Sequence, residues 1–210
     1  RWQSSVNCLT TELLHDAPLD EATADALSSL SNKWMDSITS LYNEPHRAYH
    51  NMDHVEDVIA SLDVLLGEQN DDDSGKTITT LAAFFHDVIY NPKSSTNEKD
   101  SAALFVEFAS EFSNVMQLSL REKEDDNTNR SGDNDHEKVS SSTKTASTLQ
   151  QSNLVSQVEQ CIIATATHIS SANQARQSNN TLLAVFLDAD MSILGRDANV
   201  YDRYAGCIRK

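Results

Sequence analysis

Phe84, Phe85, His86, Asp87, Val88, Ile89 and Tyr90 make an apolar run interrupted by one adjacent histidine and aspartate. Leu81, Ala82, Phe84, Phe85 and Val88 recur at helical spacing, which predicts the buried stripe of a helix. The polar pair falls where the stripe ends, just ahead of the breaker Asn91-Pro92. An imidazole and a carboxylate set in a wall of Phe and Ile require a partner, because unpaired burial costs several kcal/mol. A divalent metal meets that need, and so does an ordinary helix-end hydrogen bond. The choice turns on whether the remaining chain supplies further ligands.

Helical periodicity recurs along most of the sequence. Residues 2–14 place Trp2, Val6, Leu9, Leu13 and Leu14 on one face, and Pro18 breaks that segment. Asp20 is a good N-cap for a helix to Tyr42, with Ala22, Ala26, Leu30, Trp34, Ile38 and Leu41 as its apolar face. A stretch dense in His, Arg and Tyr, 42–54, leads into a helix with Val55, Val58, Ile59, Leu62, Leu65 and Leu66 inward. Gly67 is its natural stop. An acidic Ser/Gly loop to Lys76 precedes the helix that carries His86 and Asp87. Thr96 or Asn97 caps the next helix, whose apolar side is Ala103, Leu104, Phe105, Phe108, Phe112 and Met116.

From 121 to 151 aromatic residues vanish, and Ser, Thr, Asn, Asp, Glu and Lys take over. That composition predicts a low-complexity, disordered insertion with a solvated His136. Beyond it Val155, Val158, Ile162, Ala166 and Ile169 mark a helix with Thr165 and His168 near its end, followed by a polar loop. The run Leu182 to Leu187 has the length of a strand, but no second strand is offered for pairing, so it reads as helix. Tyr201, Tyr204 and Ile208 share a face of a last helix, 199–210. The expectation is an all-α bundle forming one domain over 1–210. The opening at Arg1 and the stop at Lys210, inside a helix, read as truncation at both ends.

The net charge of −16 excludes a nucleic-acid duplex as partner, because its phosphates are repelled at long range. Much of the acidity lies in 68–73 and 122–137, which leaves room for a small anionic substrate elsewhere. Cys8, Cys161 and Cys207 form no CxxC, so neither a zinc knuckle nor a disulfide framework is indicated. A reducing, cytoplasmic setting is the default expectation, subject to any targeting segment removed ahead of Arg1. No run is long and apolar enough to cross a membrane.

Three polar clusters stand on otherwise apolar segments: His50 to His54, His86-Asp87, and Asp188 to Asp190. Two imidazoles with two carboxylates suit one divalent ion, Mn, Fe, Co, Ni or Zn, and Mg less comfortably. Mixed N/O ligation tends to leave positions open for water or substrate.

The order His, then His-Asp, then a distant Asp resembles the HD-domain superfamily of metal-dependent phosphohydrolases. The segments 44–55, 81–92, 97–102, 162–168 and 187–195, then 201–209, resemble successive blocks of one uncharacterised branch of predicted HD phosphohydrolases. They cover most of the chain outside 68–76 and 121–151. The resemblance implies an HD-like helical bundle with a metal site between helices, and His54, His86, Asp87 and Asp190 as ligands. His54 is preferred to His50 because it stands directly before an apolar helix, and Asp190 to Asp188 because of its Ala189-Asp190-Met191 context.

It further implies hydrolysis of a small phosphate ester, a nucleotide in the first instance, by attack of a metal-bound water. Arg47 then offers a bidentate fork to phosphate or pairs with Glu44. Glu98 acts as general base or as a helix first-turn acid. His168 binds substrate, protonates a leaving group, joins a second metal or is structural. Lys99 serves phosphate or is a surface lysine. Two other readings stand beside this one: an HD-fold di-iron oxygenase, drawing extra ligands from His50, Glu98 and His168, and a non-catalytic helical binding module.

Overall fold

The computed structural model describes residues 1–14, 19–67, 73–128 and 153–208. The elements run α1 Trp2–Leu14, α2 Glu21–Tyr42, α3 Met52–Leu66, α4 Asp73–Phe85, α5 Asn97–Thr128, α6 Asn153–Ala164, α7 His168–Gln177, α8 Thr181–Asp190 and α9 Ala198–Ile208. Short 3-10 turns, Thr165–Thr167 and Met191–Gly195, lie between α6 and α7 and between α8 and α9. Among the described residues there is no strand, and the protein is an all-α bundle. No helix among these residues is long and apolar enough to cross a membrane.

α4 is the axle of the bundle. Every residue from Thr77 to His86 is buried, on all faces rather than along one stripe. α1, α3, α5, α6 and α8 all pack on it. Burying polar side chains here needs an internal partner, and Thr79 finds one by donating its hydroxyl to the Gly75 carbonyl, 2.9 Å away in the preceding turn. α4 begins at Asp73, so part of the expected Ser/Gly loop is its first turn. An acidic residue there suits the positive end of the helix.

An aromatic cluster fills the space between α1, α2, α4 and α5. Phe85 lies 5.2 Å from both Phe105 and Phe108, ring centre to ring centre. Trp2 meets Phe84 edge-on at 5.1 Å, and Trp34 meets Phe108 edge-on at 5.5 Å. Such pairs add about 0.5–1.5 kcal/mol each beyond the area they bury. They hold the C-terminal end of α4, and with it His86, against three other helices.

Local signals set the helix ends. Asp20 accepts the Thr23 N–H at 2.8 Å and caps α2. Asn51 accepts the N–H groups of Asp53 and His54 and caps α3. Gly67 ends α3 with φ 71°, a left-handed value that favours glycine. Asn179, φ 56°, turns the chain between α7 and α8, and Asn180 caps α8 by accepting the Leu183 N–H.

Several inward faces differ from the expectation. In α2 the first turns bury Thr23, Leu27 and Ser31 instead of Ala22, Ala26 and Leu30. The reason is hydrogen bonding. The Thr23 hydroxyl donates to Asp20 and lies 2.6 Å from the Ser119 hydroxyl, and Ser31 accepts from the Trp2 indole at 3.0 Å. In α3 Leu65 is exposed, and in α5 it is Ala102 that faces the core while Ala103 is exposed. Ala166 and Ile169 also face out, because the helix breaks into the 3-10 turn at Thr165 and α7 restarts at His168 on a new axis. What reads as a polar loop after it is the rest of α7. α5 continues to Thr128, so the first residues of the low-complexity stretch are helical backbone. His136 and the remainder of that stretch lie outside the described residues.

Candidate metal centre

His86 and Asp87 follow directly on the last turn of α4. The His86 N–H still donates to the Ala82 carbonyl at 2.8 Å, so the helix geometry aims this side chain before the chain turns away. His54 sits in the first turn of α3, and Asp190 ends α8. α3 and α8 both pack against α4, which brings three distant stretches to one point.

At that point two imidazole nitrogens and two carboxylate oxygens converge. The Nε2 atoms of His54 and His86 are 3.1 Å apart. Asp87 Oδ2 lies 3.1 Å from His86 Nε2 and 3.5 Å from His54 Nε2. Asp190 Oδ1 lies 3.1 Å from His54 Nε2 and 3.5 Å from His86 Nε2. His54, His86 and Asp87 meet the spacing of a metal-holding group, each offering an atom within 4.8 Å of the others. Ligands about 2.1 Å from one ion stand about 3.0 Å apart when cis-octahedral and about 3.4 Å apart when tetrahedral. The five edges that involve a histidine nitrogen fall at those values, while Asp190 lies outside the three-residue group of His54, His86 and Asp87.

The tautomer of His86 is consistent with this. Its Nδ1–H donates to the Ala83 carbonyl at 2.9 Å, which leaves the Nε2 lone pair facing the cluster. Two imidazole nitrogens at 3.1 Å need a proton or a cation between their lone pairs, and both rings are buried. The donor set of two neutral nitrogens and two carboxylates fits a borderline divalent ion.

The electrostatics run in the same direction. Burial alone would push His86 down, but Asp87 and Asp190 outweigh it and hold the imidazole well above its usual value. Burial would raise Asp87, yet the charge and hydrogen bond of His86 bring it down to about 2. Asp190 is likewise held well below the carboxylate range, by His86 and by hydrogen bonds from His168, His54 and His86, against its burial. His50 is lowered, first by burial, with Asp87 opposing.

The remaining candidates occupy distinct places. His50 lines the pocket over the cluster, with Nε2 3.8 Å from Asp87 Oδ2 and its ring against Tyr90. Glu98 lines the same pocket, half-buried near the start of α5, with no hydrogen bond or ion pair among the described residues. His168 Nε2–H donates to Asp190 Oδ2 at 2.6 Å, so it holds that carboxylate in place while lining the pocket. Asp188 is paired elsewhere, both its carboxylate oxygens accepting from Arg176 Nη2. Lys99 is exposed.

Arg47 departs from the expectation of a phosphate fork. Its side chain is buried, and it donates from Nε to Glu44, from Nη1 to the carbonyls of His50 and Asp87, and from Nη2 to the Val88 carbonyl. The guanidinium also lies over the rings of Tyr42 and Tyr90. It therefore pins the loop before α3 to the turn after α4. The alternative ion pair with Glu44 is present at 3.1 Å. That role rests on backbone groups about forty residues apart, which no local sequence signal marks.

The pocket, about 280 Å³, is lined by Tyr49, Tyr90 and Tyr204 as well as Met191 and Ile193. Tyr49 and Tyr204 meet edge-on at 4.5 Å, and Tyr49 lies 4.8 Å from the His54 ring. Sequence reasoning placed Tyr204 on a helix face and gave Tyr49 no role in the pocket. Tyr49 comes from the cluster-rich loop before α3, the one local signal that pointed at this wall. Comparisons with protein-family models, with curated proteins and with solved structures return no match, so the reading of this centre rests on its own residues and their geometry.

Proposed function

We propose that the protein is a divalent-metal-dependent phosphohydrolase of the HD kind, acting on a small phosphate ester, with a nucleotide as the first substrate class to test. The observation that carries this reading is the convergence of His54 Nε2, His86 Nε2, Asp87 Oδ2 and Asp190 Oδ1, with His54, Asp87 and Asp190 lining a pocket. The reading is supported by His54, His86 and Asp87, which lie at metal-holding spacing, with Asp190 against both histidines. A pocket of about 280 Å³ lies at the small end of ligand sites, which favours a compact ester over an extended polymer.

A divalent ion bound there supplies Lewis acidity toward a phosphoryl oxygen and lowers the pKa of a water towards neutrality. The chain's own residues do the rest. Glu98, a half-buried carboxylate on the pocket wall, takes a proton from water in the pocket. His168 fixes the orientation of Asp190. Tyr49, Tyr90 and Tyr204 add aromatic surface to the pocket lining, which displaces water and strengthens each charge interaction inside. Arg47 acts only at a distance, by holding the two loops that present His54 and Asp87. Three free cysteines among the described residues support a reducing, cytoplasmic setting.

The test is release of phosphate or pyrophosphate from a nucleotide panel by the full chain with Mn, Co, Ni or Mg. Turnover that disappears in Asp87→Asn supports the proposal. No turnover by protein with metal demonstrably bound overturns it.

A further inference from the structure

The lining of the metal-centre pocket is one-sided in charge. Asp87, Glu98 and Asp190 all line it, and among its described lining residues there is no lysine or arginine. Arg47, close by in sequence, is buried and donates to Glu44 and to the carbonyls of His50, Asp87 and Val88. Lys99 and Arg203, each next in sequence to a lining residue, are exposed and do not line the pocket. The imidazoles add no unmatched charge. His50 Nε2 stands 3.8 Å from Asp87 Oδ2, and His168 Nε2–H donates to Asp190 Oδ2.

A substrate brings two kinds of group into this space. Its phosphoryl group is met by the divalent ion of the phosphohydrolase reading, on which the inference rests. Whatever else it carries meets a lining whose three carboxylates outnumber the two charges of that ion. A unit charge of like sign at about 4 Å is disfavoured about fivefold even in bulk water, and by more where water is displaced. Tyr49, Tyr90 and Tyr204 favour the same sign of guest, because aromatic faces attract cations and repel anions.

We propose that the site selects its substrate by charge: it takes phosphomonoesters whose leaving alcohol is neutral or cationic and rejects those whose leaving group carries a further anionic group. Nucleoside monophosphates fall in the accepted class. Nucleoside di- and triphosphates and phosphorylated hydroxy acids fall in the rejected one. In the reaction the water oxygen bonds phosphorus, the ester P–O bond breaks, and the leaving oxygen gains the proton that water loses.

The test uses the full chain loaded with Mn(II) and three aryl phosphates that differ only at the para position, where they carry a carboxylate, a carboxamide or an aminomethyl group. The carboxamide ester is expected to exceed the carboxylate ester in kcat/KM by about tenfold, and the aminomethyl ester to match or exceed the carboxamide. Ile193→Lys places a cation in the lining and is expected to narrow the carboxamide-to-carboxylate gap by about fivefold. Ile193→Gln, without the charge, leaves the gap as it is. Met191→Lys and Met191→Gln, at the same lining, make the same comparison if the Ile193 pair does not fold. A carboxylate ester turned over as well as the carboxamide overturns the inference and leaves the phosphohydrolase reading intact. A gap of equal size in Ile193→Lys and Ile193→Gln also overturns it, since the discrimination then has a steric origin. No phosphate released from any of the three, with metal bound, overturns the phosphohydrolase reading and the inference with it.

Discussion

His54 Nε2 stands 3.1 Å from His86 Nε2, with Asp87 Oδ2 and Asp190 Oδ1 within 3.5 Å of both. Four lone-pair donors at that spacing repel unless something positive sits among them. The four come from three separate elements that meet at the C-terminal end of α4, whose residues from Thr77 on are buried. Each of those elements is held by its own device: α3 by the Asn51 cap, α8 by the Asn180 cap, and the turn after α4 by Arg47.

Arg47 gives the first expected outcome. Arg47→Ala strips donors from buried carbonyls of His50, Asp87 and Val88, so it destabilises the fold by about 2–4 kcal/mol. Arg47→Lys rescues little, since an ammonium lacks the planar fork. Chemical denaturation checks this. A phosphate-binding Arg47 gives the opposite pattern, a raised KM with unchanged stability.

Stability should depend on pH at both ends of the range once metal is removed by chelation. Asp87 and Asp190 are depressed, so their contribution is present above the unfolded carboxylate value and is lost as pH falls towards 2. His86 is raised, so its contribution is complete below its ordinary value and is lost as pH climbs through its elevated one. The Asp87 shift corresponds to about 2 kcal/mol, and it is the same attraction seen from the His86 side. Denaturation midpoints between acid and alkaline pH test the dome shape. Metal competes with the His86 proton, so metal affinity should rise with pH in the alkaline limb, and a flat pH profile for affinity would contradict the account.

Glu98 and His168 line one pocket but act differently, and substitutions separate them. Glu98→Gln is expected to lower kcat by about 10²–10⁴-fold with metal affinity unchanged. His168→Ala is expected to weaken metal binding by about tenfold, because Asp190 loses the hydrogen bond that orients it. Steady-state kinetics alongside metal titration distinguishes the two; a drop in metal affinity in Glu98→Gln assigns that residue to the metal instead.

Much of this fold was readable from spacing. The 3.6-residue period, the Asp20 cap and the Gly67 stop gave most helix positions, and the lack of a partner strand settled Leu182 to Leu187 as helix. What periodicity missed has a common cause. Thr79, Thr23 and Ser31 are buried because each satisfies its hydroxyl locally or across a helix contact, and hydropathy cannot register that. The same holds at the site. His86 and Asp87 announce themselves as polar residues at the end of an apolar run. The Arg47 clamp and the Tyr49–Tyr204 contact depend on partners far along the chain, where the loop before α3 meets the turn after α4 and Tyr204 of α9.

The central claim is that the cluster is a metal site, and metal content measures it directly. Full-length protein equilibrated with Mn(II), Co(II) or Zn(II), desalted and assayed by elemental analysis, is expected to hold about one ion per chain. Asp87→Asn keeps the shape but removes the charge, and should retain less than about a tenth of that metal. A wild-type chain that holds no metal, or an Asp87→Asn chain that holds as much as wild type, would contradict the account.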